Sequence, residues 1–374
     1  MIMVCFKPIP AYLPGNFDSE GKRHLIFSPK KLYEFKRSTV LHFEKAGLLK
    51  EFDENNFDIL FNEKRQYPDA YINRDITEFP NGTFINLPCG KCDGCKLDYS
   101  RNWATRAINE AYFYNYYRNC AFLSLTFNED TLRRTNLGYS VDKAFFKSWV
   151  KRLRYAVKDK FNVEFRHLSC GEYGSKRGRP HYHMLIFGFD FPDKYVFKRQ
   201  HKYGKVITYY RSPFLESLWH LPHSDKQAGY CVIGSVNYET CAYVSRYVLK
   251  KQHKSTYGDK QPEFLSVSRM PGLGSIYCTT YLDTLFSNGY ILLPSGHKTP
   301  IPRYYESICE RLKPELYYCY KFEKFQALRE RMLQNFYNSS NPDQLRLSQL
   351  NELTQLRLNR LSRNYEIDKD NLFS

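Results

Sequence analysis

Hydrophobic positions recur at strand and helix periods along the middle of the chain. Four short apolar runs predict strands: 121–127, 164–171, 181–189 and 230–238. Apolar residues at spacings of three and four predict helices over 97–119, over 141–161, and from the end of the last strand to about residue 252. Because two of the strands follow each other directly, the order predicts a central antiparallel sheet flanked by helices, an α+β fold.

Three regions follow from this pattern. Residues 1–95 form an N-terminal region that ends in a cysteine-rich motif, residues 96–304 hold the predicted sheet, and residues 305–374 are again predicted to be helical. Glycine and proline are frequent over 255–304, which predicts an ordered but irregular segment there.

Composition suggests a polyanionic partner. The 374 residues carry a formal net charge of +17, and 17% of them are aromatic, which provides surfaces on which bases stack. An AT-rich coding sequence would also enrich Tyr, Phe, Lys and Asn, so composition alone leaves nucleic-acid binding as one of two interpretations.

Neither a signal peptide nor an apolar run of about 18 residues occurs, so we expect no secretion and no membrane span. The 11 cysteines follow no paired spacing of a disulfide scaffold, which favours reduced thiols in a cytoplasm. No phosphate-binding loop of the type G-x-x-x-x-G-K-[ST] is found, so an ATP-driven motor is not expected.

Two histidines open one of the predicted strands. His181 and His183 are two residues apart, so they face the same side and can offer two imidazoles to one divalent ion. If the preceding strand pairs symmetrically about the turn at 175–178, Glu172 lies opposite His181 on the same face. The three side chains would then suit Mn²⁺ or Mg²⁺, whereas a slip of one residue would turn Glu172 away. Without a metal, the histidines would be ordinary hydrogen-bonded side chains.

The helix after the last strand carries two tyrosines. Tyr243, Tyr247 and Lys250 fall at i, i+4 and i+7, on one helical face. A phenol beside a cation can act as a nucleophile, and core packing is the alternative for two tyrosines at this spacing. Arg246, Lys250 and Lys251 count against a purely apolar stripe.

Several segments in fixed order carry a resemblance to a known family. A strand at 122–127, then His-x-His, then Tyr-x-x-x-Tyr-x-x-Lys resembles the HUH rolling-circle replication endonucleases. The match is narrower with the replication initiators of gokushovirus-type Microviridae phages. The segments that carry it are Pro88-Cys89-Gly90-Lys91-Cys92-x-x-Cys95, Trp103, Gly171-Glu172-Tyr173-Gly174, Gly178-Arg179-Pro180-His181-Tyr182-His183, Ala242-Tyr243-Val244-x-Arg246-Tyr247-Val248-x-Lys250-Lys251 and Arg269-x-Pro271-Gly272-x-Gly274.

This resemblance implies an HUH-type antiparallel sheet and a metal-dependent nickase and strand transferase. Glu172, His181 and His183 would hold the ion, Tyr243 and Tyr247 would attack DNA to leave a 5′-phosphotyrosine and a free 3′-OH, and Lys250 would assist electrostatically. The partners implied are single-stranded phage DNA with its origin, and a helicase and polymerase of the bacterial host, in whose cytoplasm the protein would act. The alternative function is a non-catalytic module that binds single-stranded nucleic acid.

Basic residues near the motifs are candidates for DNA contacts. Three lie in or beside the predicted turn, and two lie on the tyrosine helix. The candidates are Lys176, Arg177, Arg179, Arg246 and Lys251.

The cysteine motif raises a separate question. Cys89, Cys92 and Cys95 are three thiols at spacings of three, one fewer than a closed zinc site needs. The resemblance implies Cys5 as the fourth ligand of a structural Zn²⁺. Three reduced thiols ahead of a helix are the alternative.

Overall fold

A computed structural model describes residues 9–14, 82–90, 92–134, 139–174, 178–202, 204–246 and 259–337. The chain divides into two compact units, and residues 96–329 belong to the first. In the second unit, β1 (Ile9–Pro14) pairs antiparallel with β2 (Gly82–Leu87).

The first unit contains a seven-stranded sheet in the order β6-β7-β8-β3-β5-β4-β9, in which all neighbours are antiparallel. Its strands are β3 (Cys120–Thr126), β4 (Arg166–Tyr173), β5 (Pro180–Phe187), β6 (Tyr195–Lys202), β7 (Lys205–Arg211), β8 (Cys231–Gly234) and β9 (Phe264–Val267). A separate two-stranded sheet pairs β10 (Ile291–Leu292) with β11 (Lys298–Thr299). The sheet with its flanking helices confirms the predicted α+β class.

The helices lie before, between and after these strands. They are α1 (Asp93–Tyr112), α2 (Glu129–Arg134), α3 (Lys143–Phe161), α4 (Pro213–Leu218), α5 (Tyr238–Arg246), α6 (Ser275–Thr280), α7 (Leu282–Asn288), α8 (Arg303–Leu312) and α9 (Pro314–Tyr337). Within the described residues, no helix has both the length and the apolar composition that a bilayer span requires.

The central strands are buried on both faces of the sheet. Along β3, Leu123 and Leu125 pack in a cluster with Trp149 of α3, whereas Phe122 packs in a second cluster with Ile108 of α1. The second cluster also contains residues of α5, so α1 and α5 share one face and α3 lies on the other. All eight residues of β5 are buried, which explains why the histidine strand continues as an apolar run.

Capping residues fix the ends of α3. The Asp142 carboxylate accepts hydrogen bonds from the backbone N–H groups of Ala144 at 2.8 Å and Phe145 at 3.0 Å. Asn162 ends the helix in the left-handed conformation, with φ of 53°. The observed start at Lys143 is therefore two residues later than the predicted one.

Two parts of the sheet were not predicted. The segment 255–304, expected to be irregular, holds the edge strand β9 and the short helices α6 and α7. These elements have four, six and seven residues, too few to show a period. The hairpin β6–β7 was missed because a bulge between Val196 and Lys198 breaks its alternation, and much of it is exposed.

Candidate active site

The hairpin of β4 and β5 brings the acidic residue to the histidines. Glu172 pairs with His181, and Cys170 pairs with His183, so the predicted register is confirmed. The turn is closed by hydrogen bonds from Gly174 N to Arg179 O at 2.9 Å and from Gly178 N to Gly174 O at 3.0 Å. Since cross-strand and diagonal neighbours share a face, Glu172, His181 and His183 all lie on the face that carries α1 and α5.

A carboxylate, an imidazole and a phenol meet at the centre of this face. Glu172 Oε1 lies 2.7 Å from His183 Nε2 and accepts a hydrogen bond from the Tyr243 hydroxyl at 3.3 Å. The same hydroxyl lies 3.3 Å from His183 Nε2, which closes a triangle. All three side chains are buried, Glu172 completely. The structure therefore unites three of the side chains that the sequence proposed for chemistry.

The start of α5 sets the position of Tyr243. The Asn237 side chain accepts from Thr240 N at 2.8 Å, and the Thr240 hydroxyl accepts from Asn237 N at 3.0 Å, a reciprocal cap of the helix. One turn later, the Tyr243 ring packs edge-on against His183, with ring centroids 5.0 Å apart. Tyr243 is thus part of the core through its ring and part of the site through its hydroxyl.

Phe122 is a site residue that the sequence did not reveal. Its ring stacks on His183 with centroids 5.7 Å apart and planes 10° from parallel, and it meets Tyr243 edge-on at 6.1 Å. Strand alternation could have placed Phe122 on the same face as Ser124. The pairing of Ser124 with His183, which brings the rings together, depends on a contact between distant strands.

His181 is held by a backbone carbonyl. Its Nδ1 donates to Arg179 O at 2.8 Å, because a carbonyl oxygen can only accept, so Nε2 is the acceptor nitrogen of the neutral ring. This orientation is typical of histidines that bind metals through Nε2. A carboxylate and two imidazoles on one face are a donor set that suits a divalent ion. Glu172 and His183 already touch, whereas the three ligand atoms including His181 do not all lie within 4.8 Å of one another.

Buried cysteines on the same face remain protonated thiols. Burial raises the pKa of Cys241, next to the tyrosine turn, well above its usual range. Burial likewise raises the pKa of Cys120 to about 12. Since the thiolate is the nucleophilic form, neither residue competes with the Tyr243 phenol at neutral pH.

Two predicted DNA-contacting arginines make contacts within the chain. Arg179 donates to Phe127 O at 3.1 Å and lies 3.4 Å from the Glu129 carboxylate. Arg246 Nε donates to the Ala242 carbonyl, one turn earlier in α5, at 3.3 Å. Their DNA contacts stay a prediction. Six further predicted residues lie outside the described part of the chain: Cys5, Lys176, Arg177, Tyr247, Lys250 and Lys251.

The cysteine motif forms a compact group in the second unit. The sulfurs of Cys89, Cys92 and Cys95 all lie within 4.8 Å of one another. No other set of three metal-binding side chains in the described residues is that close.

Comparison with known proteins identifies the class to which this fold and site belong. Residues 120–252, which include β3, the histidine hairpin and α5, match the family model of the replication-associated protein ORF2. The class is therefore that of replication-associated proteins.

Three relatives come from small phages. The chain is 29% identical over 259 residues to the replication-associated protein VP4 of Bdellovibrio phage phiMH2K, covering 69% of this chain and 74% of the relative. It is 27% identical over 274 residues to ORF2 of Spiroplasma virus 4, covering 70% and 81%. It is 31% identical over 254 residues to ORF4 of Chlamydia phage 1, covering 66% and 59%. The chain belongs with these replication-associated proteins of gokushovirus-type phages, as its motifs indicated. No solved structure matches it.

Proposed function

We propose that this chain initiates rolling-circle replication of a small phage genome by nicking single-stranded DNA, with a tyrosine as the nucleophile. The observation that carries the proposal is the Tyr243 hydroxyl, 3.3 Å from both Glu172 Oε1 and His183 Nε2. The relatives, all named as replication-associated proteins, supply the biological setting.

The phenol is placed for activation by its neighbours. The Tyr243 hydroxyl donates to the Glu172 carboxylate, which can take its proton as the oxygen attacks phosphorus. The new bond joins tyrosine oxygen to the 5′-phosphate, and the bond to the 3′-oxygen breaks. That oxygen leaves with a proton as a 3′-OH, the group that a polymerase extends.

A divalent ion, Mn²⁺ or Mg²⁺, held by Glu172, His181 and His183 would polarise the phosphate and make phosphorus more electrophilic. Arg179 orients His181 through its carbonyl, and Phe122 fixes the plane of the His183 ring. These contacts keep the donor nitrogens on the same face as Tyr243. Lys250 would stabilise the developing negative charge.

A phosphotyrosine conserves the energy of the phosphodiester bond. After one round of synthesis, Tyr247 would attack the regenerated origin, and the 3′-OH released there would displace Tyr243 and rejoin the strand. No external energy source is consumed in this cycle. Strand separation and synthesis would fall to a helicase and polymerase of the host.

The test is incubation with end-labelled single-stranded origin DNA and Mn²⁺, followed by denaturing electrophoresis. We expect a labelled covalent adduct with the wild-type chain and none with a variant carrying both Tyr243→Phe and Tyr247→Phe. Each single variant shows which tyrosine cuts first.

Tyr182→Phe is the matched control. The Tyr182 hydroxyl is also buried and accepts from Asp142 N at 2.8 Å, but it lies in the core on the opposite face. It should lose a comparable hydrogen bond and keep the adduct. An adduct that survives the double substitution refutes tyrosine chemistry. Binding of the DNA without any adduct in Mn²⁺ or Mg²⁺ would instead assign the chain to the non-catalytic binding class.

A further inference from the structure

We propose that Cys89, Cys92 and Cys95 bind one zinc ion as thiolates. This site is independent of the nicking chemistry, because it uses none of the residues of the sheet. The proposal rests on the distances between the three sulfurs, the backbone around them and their position at the start of a helix.

The sulfur separations suit a single ion. Two sulfurs that each lie about 2.3 Å from a tetrahedral zinc ion are about 3.8 Å apart. The three sulfurs of this group all lie within 4.8 Å of one another, so a small adjustment brings them to that spacing. In an iron–sulfur cluster each thiolate bonds a different iron, which requires sulfurs that are further apart. The compact spacing therefore favours one ion over a cluster.

The backbone supports a negatively charged sulfur at Cys89. The N–H of Cys92 donates to Cys89 Sγ at 3.2 Å. Gly90, with φ of 70°, lets the chain turn back so that this donor reaches the sulfur. A hydrogen bond to a thiolate stabilises the charged form that a metal binds.

The start of α1 supplies the remaining geometry. Cys95 lies in the first turn of this 20-residue helix, and Cys92 immediately precedes it. Residues three apart at a helix start share a face, and the positive end of the helix dipole favours thiolates there. Three uncompensated thiolates this close would repel one another, and a bound Zn²⁺ removes that repulsion.

Three thiolates leave one position of a tetrahedral ion for a further ligand. The consequence for the protein is local, since an ion bound here would fix the beginning of α1. Later turns of the same helix, through Ala107 and Ile108, pack on the face of the sheet that carries the candidate active site.

The experiment measures metal content of the full-length chain purified without chelators. We expect about one zinc per chain, falling to about none in Cys89→Ser, Cys92→Ser or Cys95→Ser. Cys319→Ser is the matched control, because Cys319 is an exposed cysteine elsewhere in the chain and its loss should leave the zinc content unchanged. His183→Ala should also retain the zinc, which separates this site from the proposed nicking centre.

Two measurements on the wild-type chain guard against unfolding of the variants. Replacement of zinc by Co²⁺ should give the intense charge-transfer absorption of cobalt thiolates and the visible bands of a tetrahedral site. Removal of zinc should make Cys89, Cys92 and Cys95 newly reactive towards a maleimide, as peptide mapping would show. Absence of zinc together with failure to take up Co²⁺ overturns the proposal. So does iron with acid-labile sulfide, or zinc that stays bound when all three cysteines are replaced.

Discussion

His167 couples the stability of the sheet to pH. It lies in β4, is 6% exposed, and its Nδ1 is 3.0 Å from the Arg154 guanidinium and 3.2 Å from the Ser268 hydroxyl. Since a guanidinium can only donate, Nδ1 accepts and the ring is neutral. Burial, reinforced by Arg154 and Arg166, lowers the pKa of His167 from 6.5 to about 3.

The sign and size of the effect follow from this pKa. Above pH 6.5 the ring is neutral in both the folded and the unfolded chain, so its contribution to stability is complete. Below pH 6.5 the unfolded chain binds a proton that the folded chain excludes, and stability falls until the pH reaches about 3. At pH 5 the loss relative to pH 8 is about 2 kcal/mol, a roughly 30-fold shift towards the unfolded state.

The assay compares the wild-type chain with His167→Asn, whose side-chain oxygen can still accept from Arg154. Urea unfolding is followed by tryptophan fluorescence, because Trp149 and Trp219 are fully buried in the core under α3. Between pH 8 and pH 5, the wild-type free energy of unfolding should drop by about 2 kcal/mol more than that of the variant.

Titrations common to both proteins cancel in this difference. His297→Asn is the control, because His297 is exposed, and its pH profile should follow the wild type. Parallel profiles for the wild type and His167→Asn would refute the argument, since they would mean that the ring is protonated equally in the folded and unfolded chains.

Three further substitutions test the site and its support. Glu172→Gln keeps the shape of the side chain but removes the charge, so adduct formation should fall about 100-fold or more while anisotropy shows unchanged DNA binding; a loss under about tenfold contradicts its role. Phe122→Leu should lower adduct yield about tenfold through loss of the stacked ring, with a stability cost under about 1.5 kcal/mol in urea unfolding. Gly229→Ala should cost about 3 kcal/mol, because its Cβ would stand 1.9 Å from the Thr126 carbonyl oxygen, whereas Gly234→Ala meets only a movable ring and should cost much less.

The hairpin was predictable because its determinants are local. A short turn fixes the register of the two strands it joins, and the alternation of side chains then decides which residues share a face. Glu172 was therefore placed opposite His181 from the sequence alone, as the structure confirms. What the sequence did not predict is the partner of the carboxylate. Glu172 contacts His183, its diagonal neighbour, while the Arg179 carbonyl engages the ring of His181.

The other parts of the site depend on contacts between distant segments. Phe122 meets His183 only because β3 inserts between β5 and β8, a topology that no local pattern encodes. The edge strand β9 has four residues and no period, yet it completes the sheet beside β4. Local rules thus recover the motifs and one pairing, whereas the shape of the site is set by the order of the strands.

The placement of Tyr243 explains how one side chain satisfies both interpretations of the tyrosine helix. Its ring packs with Phe122 and Val244 in the cluster under α5, as a core residue would, and its hydroxyl ends at the carboxylate and the imidazole. Fixing the ring removes rotational freedom from the nucleophile before DNA arrives, which is the entropic advantage of a positioned reactant. A flexible surface tyrosine would carry the same oxygen without that advantage. The apolar contacts of Tyr243 therefore argue for its proposed catalytic role, since they are what hold the phenol 3.3 Å from its proton acceptor.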